Sequence, residues 1–170
     1  KLTEITPTSL NLEELTLIDP ACGSGHILVE AYNIFRAIYL EQGYQRSEIP
    51  ELILTKNLYG LDICPRAAQL ATFSLLMKGR EDDRRLLERG VELNILAMQD
   101  STDIDIDNIA NNIELSSVGL SRDDLMILAK LFRHTTTYGS LIQIPSELKL
   151  KLSAMNGLSK KTIRDPICAI

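Results

Sequence analysis

One short stretch, Asp19-Pro20-Ala21-Cys22-Gly23-Ser24-Gly25, constrains the fold of this chain more than any other. The apolar, β-branched run before it, residues 15–18, is typical of a buried strand. After it, apolar residues recur at steps of three and four, which predicts a helix packed on a sheet: Ile27, Leu28, Ala31, Ile34, Phe35 and Ile38. Strand, glycine turn and helix in this order predict a ligand-binding loop at the carboxyl end of a strand in an open α/β sheet.

The two glycines of this loop indicate a close approach of the main chain to a ligand. Gly23 and Gly25 have no Cβ atom, so they permit unusual backbone angles. The free N–H groups that open the following helix would face an anionic group, phosphate or carboxylate. A dinucleotide is one candidate, but its fingerprint requires a third glycine where this chain has Leu28, and an acidic residue about 20 positions further on. The spacing therefore favours another nucleotide-like cofactor.

The chain alternates strand, loop and helix twice before residue 101, which is the signature of a parallel sheet. The first helix is predicted over residues 25–41 with a stop at Gly43, and Ser47 is predicted to cap a short helix that reaches Thr55. A second strand over residues 57–61 delivers Asp62 at its end.

Proline is favoured at the first position of a helix, so Pro65 predicts the start of the next helix, which Gly79 would close. A charged helix over residues 82–89 and a third strand over residues 93–98, ending at Asp100, complete this part.

Beyond Ser101 the pattern changes. The acidic, Asn-rich stretch 103–114 is predicted to be a loop or a frayed helix; its oxygen-bearing residues follow the spacing of a calcium loop, but the required central glycine is replaced by Asn108. Ser121 with Asp124 predicts a capped amphipathic helix through about Arg133. A turn over 135–140, a short strand over 141–144 and a helix over 146–155 are predicted to follow.

The composition of the 170 residues, 45% hydrophobic and 24% charged, fits an ordinary globular protein. No apolar run approaches the length of a membrane helix, and no signal-peptide pattern is present, so we expect no membrane association. The three cysteines lack metal-ligand spacing, which favours reduced thiols in the cytoplasm and no metal site. The net charge of −5 argues against strong DNA binding by this chain alone.

The glycine loop and a second stretch, Asn57-Leu58-Tyr59-Gly60-Leu61-Asp62-Ile63-Cys64-Pro65-Arg66-Ala67-Ala68-Gln69-Leu70-Ala71, resemble two motifs of N6-adenine DNA methyltransferases. The likeness is greatest to the large enzymes of restriction–modification and BREX-type phage-defence systems. It is strong over residues 15–101 and weaker to about residue 144. It implies the cofactor-binding half of a Rossmann-like methyltransferase fold, mostly parallel with flanking helices. The implied divisions are a lead-in (1–14), an S-adenosylmethionine-binding part (15–101) and a helical or loop extension (102–170).

The resemblance implies S-adenosylmethionine as the cofactor, with these binding residues: Asp19, Pro20, Ala21, Cys22, Gly23, Ser24, Gly25, Asp62, Ile63 and Asp100. Asp62 would accept hydrogen bonds from two ribose hydroxyls, or alternatively cap the next helix. Ile63 would pack on the adenine ring. Asp100 would accept from the adenine amine, with a plain loop aspartate as the alternative. Asp19 would lie near the methionine amino group or stabilise its turn, and the neighbouring His26 would line the pocket rather than act as a base.

The family holds its flipped target adenine with an (Asp/Asn)-Pro-Pro-aromatic tetrapeptide. This sequence has none, since Asp165-Pro166-Ile167-Cys168 lacks the second proline and the aromatic residue. We therefore expect no catalytic residue in this chain, which begins at Lys1 without methionine and would be processed or a piece of a longer enzyme. DNA would be contacted by parts of the parent protein outside it, with partner subunits of a restriction or defence system. The alternatives are a non-catalytic subunit that docks on a catalytic partner, and a methyltransferase of RNA or another substrate.

Overall fold

In the computed structural model, three parallel strands form one sheet in the order β1-β2-β3. They are β1 (Leu17–Asp19), β2 (Leu58–Asp62) and β3 (Asn94–Ala97). Leu17 lies beside Leu58 in the first pair, and Gly60 lies beside Ile95 in the second. Parallel neighbours need a long crossover between them, and a helical connection supplies it each time. The parallel α/β arrangement expected from the sequence is confirmed.

The structure describes residues 11–102, 105–112 and 120–154, in two units divided between Met98 and Gln99. Most of the predicted lead-in lies outside the described residues, as do Asp103, Glu114 and the Asp165-Pro166 sequence.

The helical segments of the first unit, in chain order, are a 3₁₀ turn at Leu12–Glu14, α1 (His26–Glu41), α2 (Ile49–Leu52), a π-helical turn at Ile53–Asn57, α3 (Pro65–Arg80) and a 3₁₀ turn at Leu86–Arg89. Pro65 opens α3 as predicted. The predicted cap at Ser47 is wrong, because α2 begins at Ile49 with no side-chain cap.

The buried face of α1 carries five residues that meet the core: Leu28, Ala31, Tyr32, Phe35 and Tyr39. The core positions predicted at Ile27 and Ile34 are wrong, since these side chains are 64% and 62% exposed. A helix advances 3.6 residues per turn, so the line through Leu28 and Phe35 leaves Ile27 and Ile34 on the flank.

The predicted burial of the first strand is also only partly right. Side chains alternate between the two faces of a strand. Helix α1 packs on the face that carries Gly60, where the Cδ1 atom of Leu28 lies close to that glycine. Ile18 lies on the opposite face and is 61% exposed, and Leu96 of β3 shares that face and is exposed as well.

A buried amide, Asn57, joins three elements of the first unit. Its Nδ2 donates to the carbonyl oxygens of Leu12 and Leu15 at 2.6 and 2.7 Å, and its Oδ1 accepts from the hydroxyl of Tyr39 at 3.0 Å. Asn57 is fully buried, so each of these bonds replaces one that water would otherwise make. The segment that leads into β1 is thereby attached to the start of β2 and to α1.

The charged helix predicted over residues 82–89 is wrong: the segment forms turns followed by the short 3₁₀ helix. Its first residue, Asp82, accepts hydrogen bonds from Arg36 and Arg46, each at 2.7 Å, and from Tyr32 at 3.1 Å. Gly79 does not end α3 as predicted, because the helix continues to Arg80. A Cβ atom at Gly79 would lie 2.6 Å from the Cδ2 atom of Leu86, so glycine there allows the 3₁₀ helix to pack on α3.

The second unit is helical where the structure describes it. In chain order its helical segments are α4 (Ile106–Asn112), α5 (Arg122–Leu131), a 3₁₀ turn at Phe132–His134, α6 (Thr135–Tyr138), a 3₁₀ turn at Gly139–Leu141 and α7 (Ser146–Ala154). The capping box of Ser121 and Asp124 at the start of α5 is confirmed. The turn predicted over 135–140 and the strand predicted over 141–144 are wrong. Thr135 is buried and opens a helical turn instead, and no strand forms among the described residues of this unit.

Candidate cofactor-binding site

The glycine loop is fixed to the end of β2 by backbone hydrogen bonds. The N–H of Cys22 donates to the carbonyl oxygen of Leu61 at 2.9 Å, and the N–H of Gly25 donates to the carbonyl oxygen of Cys22 at 2.8 Å. Gly23 and Gly25 have φ angles of 54° and 85°, a left-handed conformation that glycine adopts without a steric penalty. The unusual backbone angles expected from the sequence are therefore present in the loop.

Gly25 also brings the loop into close contact with α3. A Cβ atom at Gly25 would lie 3.0 Å from both Cα and Cβ of Ala71, so no larger residue fits without a shift of backbone. Gly25 is the N-cap residue of α1 and supplies no side-chain cap. The first N–H groups of an α-helix have no partner within the helix, which leaves them available to an acceptor brought by a ligand.

Asp62, at the end of β2, holds the loop from the other side. Its Oδ2 accepts from the N–H of Gly23 at 2.8 Å, and its Oδ1 accepts from the N–H of Cys64 at 2.8 Å. The second bond stabilises the turn that leads into α3 but is not a helix cap, because Cys64 precedes the first helical residue and α3 has no side-chain cap. A carboxylate offers about four lone-pair sites, so each oxygen of Asp62 retains acceptor capacity for a ligand hydroxyl.

Asp19, at the end of β1, has one oxygen that its own turn uses and one that it does not. Its side chain is buried, the residue being only 8% exposed, and Oδ1 accepts from the N–H of Ala21 at 3.1 Å. Oδ2 is buried, and no described residue donates a hydrogen bond to it. A buried carboxylate oxygen without a partner is costly, so this atom points to a donor beyond the described residues, such as a bound ligand would supply. An ammonium group fits this position.

Cys22 contributes packing rather than reactivity. Burial raises the pKa of its thiol, and the charges of Asp62 and Asp19 raise this pKa further. A neutral, buried thiol is a poor nucleophile. Its Sγ atom would lie 3.2 Å from a Cβ atom at Gly60, so the glycine of β2 makes room for the loop.

The structure brings Asp19–Gly25 and Asp62 together at the carboxyl ends of β1 and β2. Ile63 follows Asp62 with an exposed apolar side chain, and His26 is exposed at the first position of α1. Asp100 belongs to the second unit. There its carboxylate accepts from the N–H of Thr136 at 2.8 Å and from the hydroxyl of Thr136 at 2.9 Å. These two hydrogen bonds lower the pKa of Asp100.

The sequence analysis did not single out two residues that make long-range polar contacts, Asn57 and Thr136. Asn57 stands inside the second motif, where an amide at the start of a strand is a weak signal. Thr136 lies 36 residues from Asp100, and no local pattern links them. Among the described residues, no group of three or more His, Cys, Asp or Glu is arranged to hold a metal ion, and no helix is both long and apolar enough to cross a bilayer.

Residues 3–122 match the family model described as the DNA-methyltransferase domain of MmeI. The chain belongs to this family. Its three-stranded parallel sheet with flanking helices is accordingly part of a Rossmann-like methyltransferase fold.

Two curated relatives are similar to this chain in sequence. The adenine-specific methyltransferase BrxX of Escherichia coli O9:H4 (strain HS) is 45% identical over 174 residues, a match that covers 91% of this chain and 14% of the relative. The adenine-specific methyltransferase PglX of Lacticaseibacillus casei (strain Zhang) is 44% identical over 84 residues, covering 49% of this chain and 7% of the relative. The resemblance to adenine methyltransferases inferred from the two motifs is confirmed, and the chain spans a small part of these relatives.

Proposed function

We propose that this chain is the cofactor-binding portion of a site-specific DNA methyltransferase, which transfers the methyl group of S-adenosylmethionine to N6 of a flipped adenine. The observation that carries the proposal is the buried Oδ2 of Asp19, which has no hydrogen-bond partner among the described residues. It lies beside a glycine loop held by Asp62, in a member of a DNA-methyltransferase family. Methyltransferases in general use S-adenosylmethionine, and the donor and acceptor groups of this loop suit that molecule.

Each site residue has a distinct role in this proposal. Asp19 pairs its free oxygen with the ammonium group of the methionine moiety, and Asp62 accepts from the ribose hydroxyls. Ile63 covers one face of the adenine ring, and Asp100 accepts from the adenine amine. The first N–H groups of α1 face the carboxylate of the methionine moiety.

Methyl transfer requires that the target nitrogen lies in line with the methyl group on sulfur, so positioning governs the rate. S-adenosylmethionine supplies the activated methyl group when it is bound. The target adenine must leave the duplex to reach it. We assign the holding of that base to another part of a longer protein, since the family's base-holding tetrapeptide does not occur in these 170 residues. The net charge of −5 favours the same assignment for DNA contacts.

A second candidate is a non-catalytic subunit that completes an active site with a partner protein. The exposed face at Ile18, on a strand that pairs with β2 alone among the described strands, favours it. Because the chain resembles BREX-type enzymes, either arrangement suits a restriction or phage-defence system. In both, the chain would act with partner subunits in the cytoplasm, where its DNA substrate would be.

A calorimetric titration that pairs one variant with two ligands tests the proposal. Asp19→Asn keeps the shape of the side chain and an oxygen for the N–H of Ala21, but it removes the charge opposite an ammonium group. We expect it to lower the affinity for S-adenosylhomocysteine by about tenfold or more, which is the scale of a hydrogen bond to a charged group. Affinity for 5′-methylthioadenosine, which has no amino-acid part, should not change.

The matched ligands separate binding from loop distortion. Equal weakening of both ligands by Asp19→Asn would show that the substitution deforms the loop, and an unchanged affinity for S-adenosylhomocysteine would refute the role of Asp19. If the unsubstituted chain binds neither ligand, the proposed function itself fails, and a parallel titration with NAD then tests the dinucleotide alternative.

A further inference from the structure

The exposed side of α3 carries an apolar stripe that ends in arginines. Leu70, Phe73, Met77 and Arg80 recur at steps of three and four residues, so they share one side of the helix. Leu70 and Phe73 are exposed, and Met77 lines a shallow surface cavity together with Arg80 and Arg84. Neither arginine forms a salt bridge with another described residue. The stripe therefore combines apolar surface with available positive charge.

Helix α1 carries a second exposed stripe, which is acidic. Ile27, Glu30, Ile34 and Glu41 follow one another at steps of three, four and seven residues, and all four are exposed. No described cation forms a salt bridge with either glutamate. Exposed apolar residues at this spacing are typical of helices that pack on another helix. The two stripes are thus alike in apolar character and opposite in charge.

The two helices lie side by side in one layer on the sheet. Phe35 of α1 and Leu75 of α3 belong to the same apolar core, and Gly25 at the start of α1 lies against Ala71 of α3. Each helix returns from the carboxyl end of one strand to the amino end of the next, so the two run parallel. Both exposed stripes therefore lie outside the core of this layer.

The contact at Gly25 sets the height of one stripe relative to the other. Ile27 follows Gly25 by two residues and Phe73 follows Ala71 by two, so Ile27 and Phe73 lie at about the same height along the parallel helices. A two-fold axis along the helices would therefore place Ile27 of each copy opposite Phe73 of a second copy. A contact of this symmetry is made twice, once from each copy.

We propose that the first unit associates with a second copy of itself, the acidic stripe of α1 in each copy packing on the basic stripe of α3 in the other. The apolar side chains form the centre of the contact, and the glutamates of α1 lie beside the arginines of α3 at its rim. Charge determines this pairing. Two α3 stripes in contact would bring arginines together, and two α1 stripes would bring glutamates together.

Sedimentation equilibrium of the unsubstituted chain and of two charge-reversed variants tests the proposal. Glu30→Arg/Glu41→Arg makes both stripes basic, and Arg80→Glu/Arg84→Glu makes both acidic. In an equimolar mixture of the two variants, the basic α1 of one faces the acidic α3 of the other, and the acidic α1 faces the basic α3. Opposite charges are thereby restored at both contacts of a mixed dimer.

At about 100 µM, well above a micromolar dissociation constant, we expect the unsubstituted chain to sediment as a dimer, at twice its monomer mass of 19.0 kDa. Each charge-reversed variant alone should self-associate about a hundredfold more weakly or less, because like charges face each other. The mixture should restore the dimer. Phe73→Ser, which changes no charge, should weaken the dimer by about tenfold or more. The control Glu48→Arg changes a charge outside both stripes and should leave the dimer unchanged.

Three results overturn the inference. An unsubstituted chain that is monomeric at this concentration would leave the stripes to another occupant, such as a helix of a longer protein. Dimers of undiminished strength in both charge-reversed variants, or in Phe73→Ser, would place the contact elsewhere on the chain. Two variants that are monomeric and folded by circular dichroism, and that stay monomeric when mixed, would show that these charges do not pair between copies. None of these measurements involves the cofactor, so the proposed function is tested separately.

Discussion

The two units of this chain are stabilised in different ways. In the first unit, large side chains such as Tyr32, Tyr39 and Leu75 are fully buried around the sheet. In the second unit, Leu148 and Thr135 are buried, whereas Leu141 and Leu150 are 78% and 73% exposed. There the partly exposed Lys151 pairs with the buried Asp124 and joins α7 to the start of α5.

This difference changes what a polar interaction contributes. When one partner of a buried hydrogen bond in the first unit is removed, no water can reach the remaining group. That group then stays without a hydrogen bond, which costs its full desolvation free energy. In the second unit the side chain of Lys151 is partly exposed and water already solvates its ammonium group, so we expect its pair with Asp124 to make a smaller net contribution. The following four substitutions test the packing of the first unit and the polar interactions of both units, from the largest expected effect to the smallest.

The first substitution is Asn57→Leu, which leaves two carbonyl oxygens and the hydroxyl of Tyr39 without their buried partner. We expect it to lower the free energy of unfolding by about 3 kcal/mol or more, since each unsatisfied buried group costs about 1–3 kcal/mol. Urea unfolding followed by circular dichroism measures the change. Asn33→Leu is the control, because the amide of Asn33 donates to Glu30 on the surface of α1. Equal effects of the two substitutions would contradict the contrast.

The second is Gly25→Ala, compared with Gly43→Ala. The two glycines have nearly equal φ angles, 85° and 83°, so alanine is strained in both, by about 1–2 kcal/mol. Only Gly25 lies against backbone atoms, those of Ala71, while nothing lies within 4 Å of a Cβ atom at Gly43. We expect Gly25→Ala to lower the free energy of unfolding by about 1–2 kcal/mol more than Gly43→Ala does. It should also lower the affinity for S-adenosylhomocysteine. Equal unfolding free energies would show that the loop can move away from α3.

The third is Asp82→Asn, measured as a function of pH. Burial raises the pKa of Asp82, but the hydrogen bonds from Arg36, Arg46 and Tyr32 outweigh this effect and lower it below its ordinary value of 3.8. A carboxyl whose pKa is lowered by folding stabilises the protein above its unfolded-state pKa and loses that contribution as the pH falls through its folded value. We expect a cost of about 1.5 kcal/mol at pH 7.

Urea unfolding of the Asp82→Asn variant and the parent at pH 7, 5 and 3 checks the sign. The difference between the two proteins should be the same at pH 7 and pH 5 and should shrink at pH 3. A difference that is constant down to pH 3, or that grows there, would mean that the charge of Asp82 is not what these arginines stabilise.

The fourth and smallest effect is expected for Lys151→Met in the second unit. The ammonium group of Lys151, together with the donors of Ser121, lowers the pKa of Asp124 to about 2. The pair therefore contributes its full stabilisation to α5 and α7 above the ordinary aspartate pKa of 3.8, and this contribution is lost as the pH falls from there to about 2. Hydrogen exchange should speed slightly in α5 and α7 at pH 7 and remain unchanged in α1. Lys149→Met, on the same helix as Lys151, is the control, and equal changes in the two variants would exclude a specific pair.

The features that the sequence determined on its own are those whose signals are local. The glycines of the loop, Pro65 at the start of α3, and the capping box at Ser121 and Asp124 each act within a few residues. Alternation of strands and helices suffices for a parallel sheet, because parallel neighbours need long crossovers. Local signals also failed in places: Gly79 looked like a helix stop, but its missing Cβ accommodates Leu86 instead.

Only the tertiary structure decided the contacts between distant parts of the chain. Asp62 reaches Gly23 across 39 positions, Asn57 reaches Leu12 across 45, and Asp100 reaches Thr136 across 36. The sequence shows that such polar groups exist, but the partner of each depends on which surfaces the sheet and helices bring together. The same holds for α1, where Ile27 and Leu28 are equally apolar and packing alone buries one and exposes the other. The type of each side chain is given by its own position in the sequence, whereas its burial and its partners depend on the whole fold.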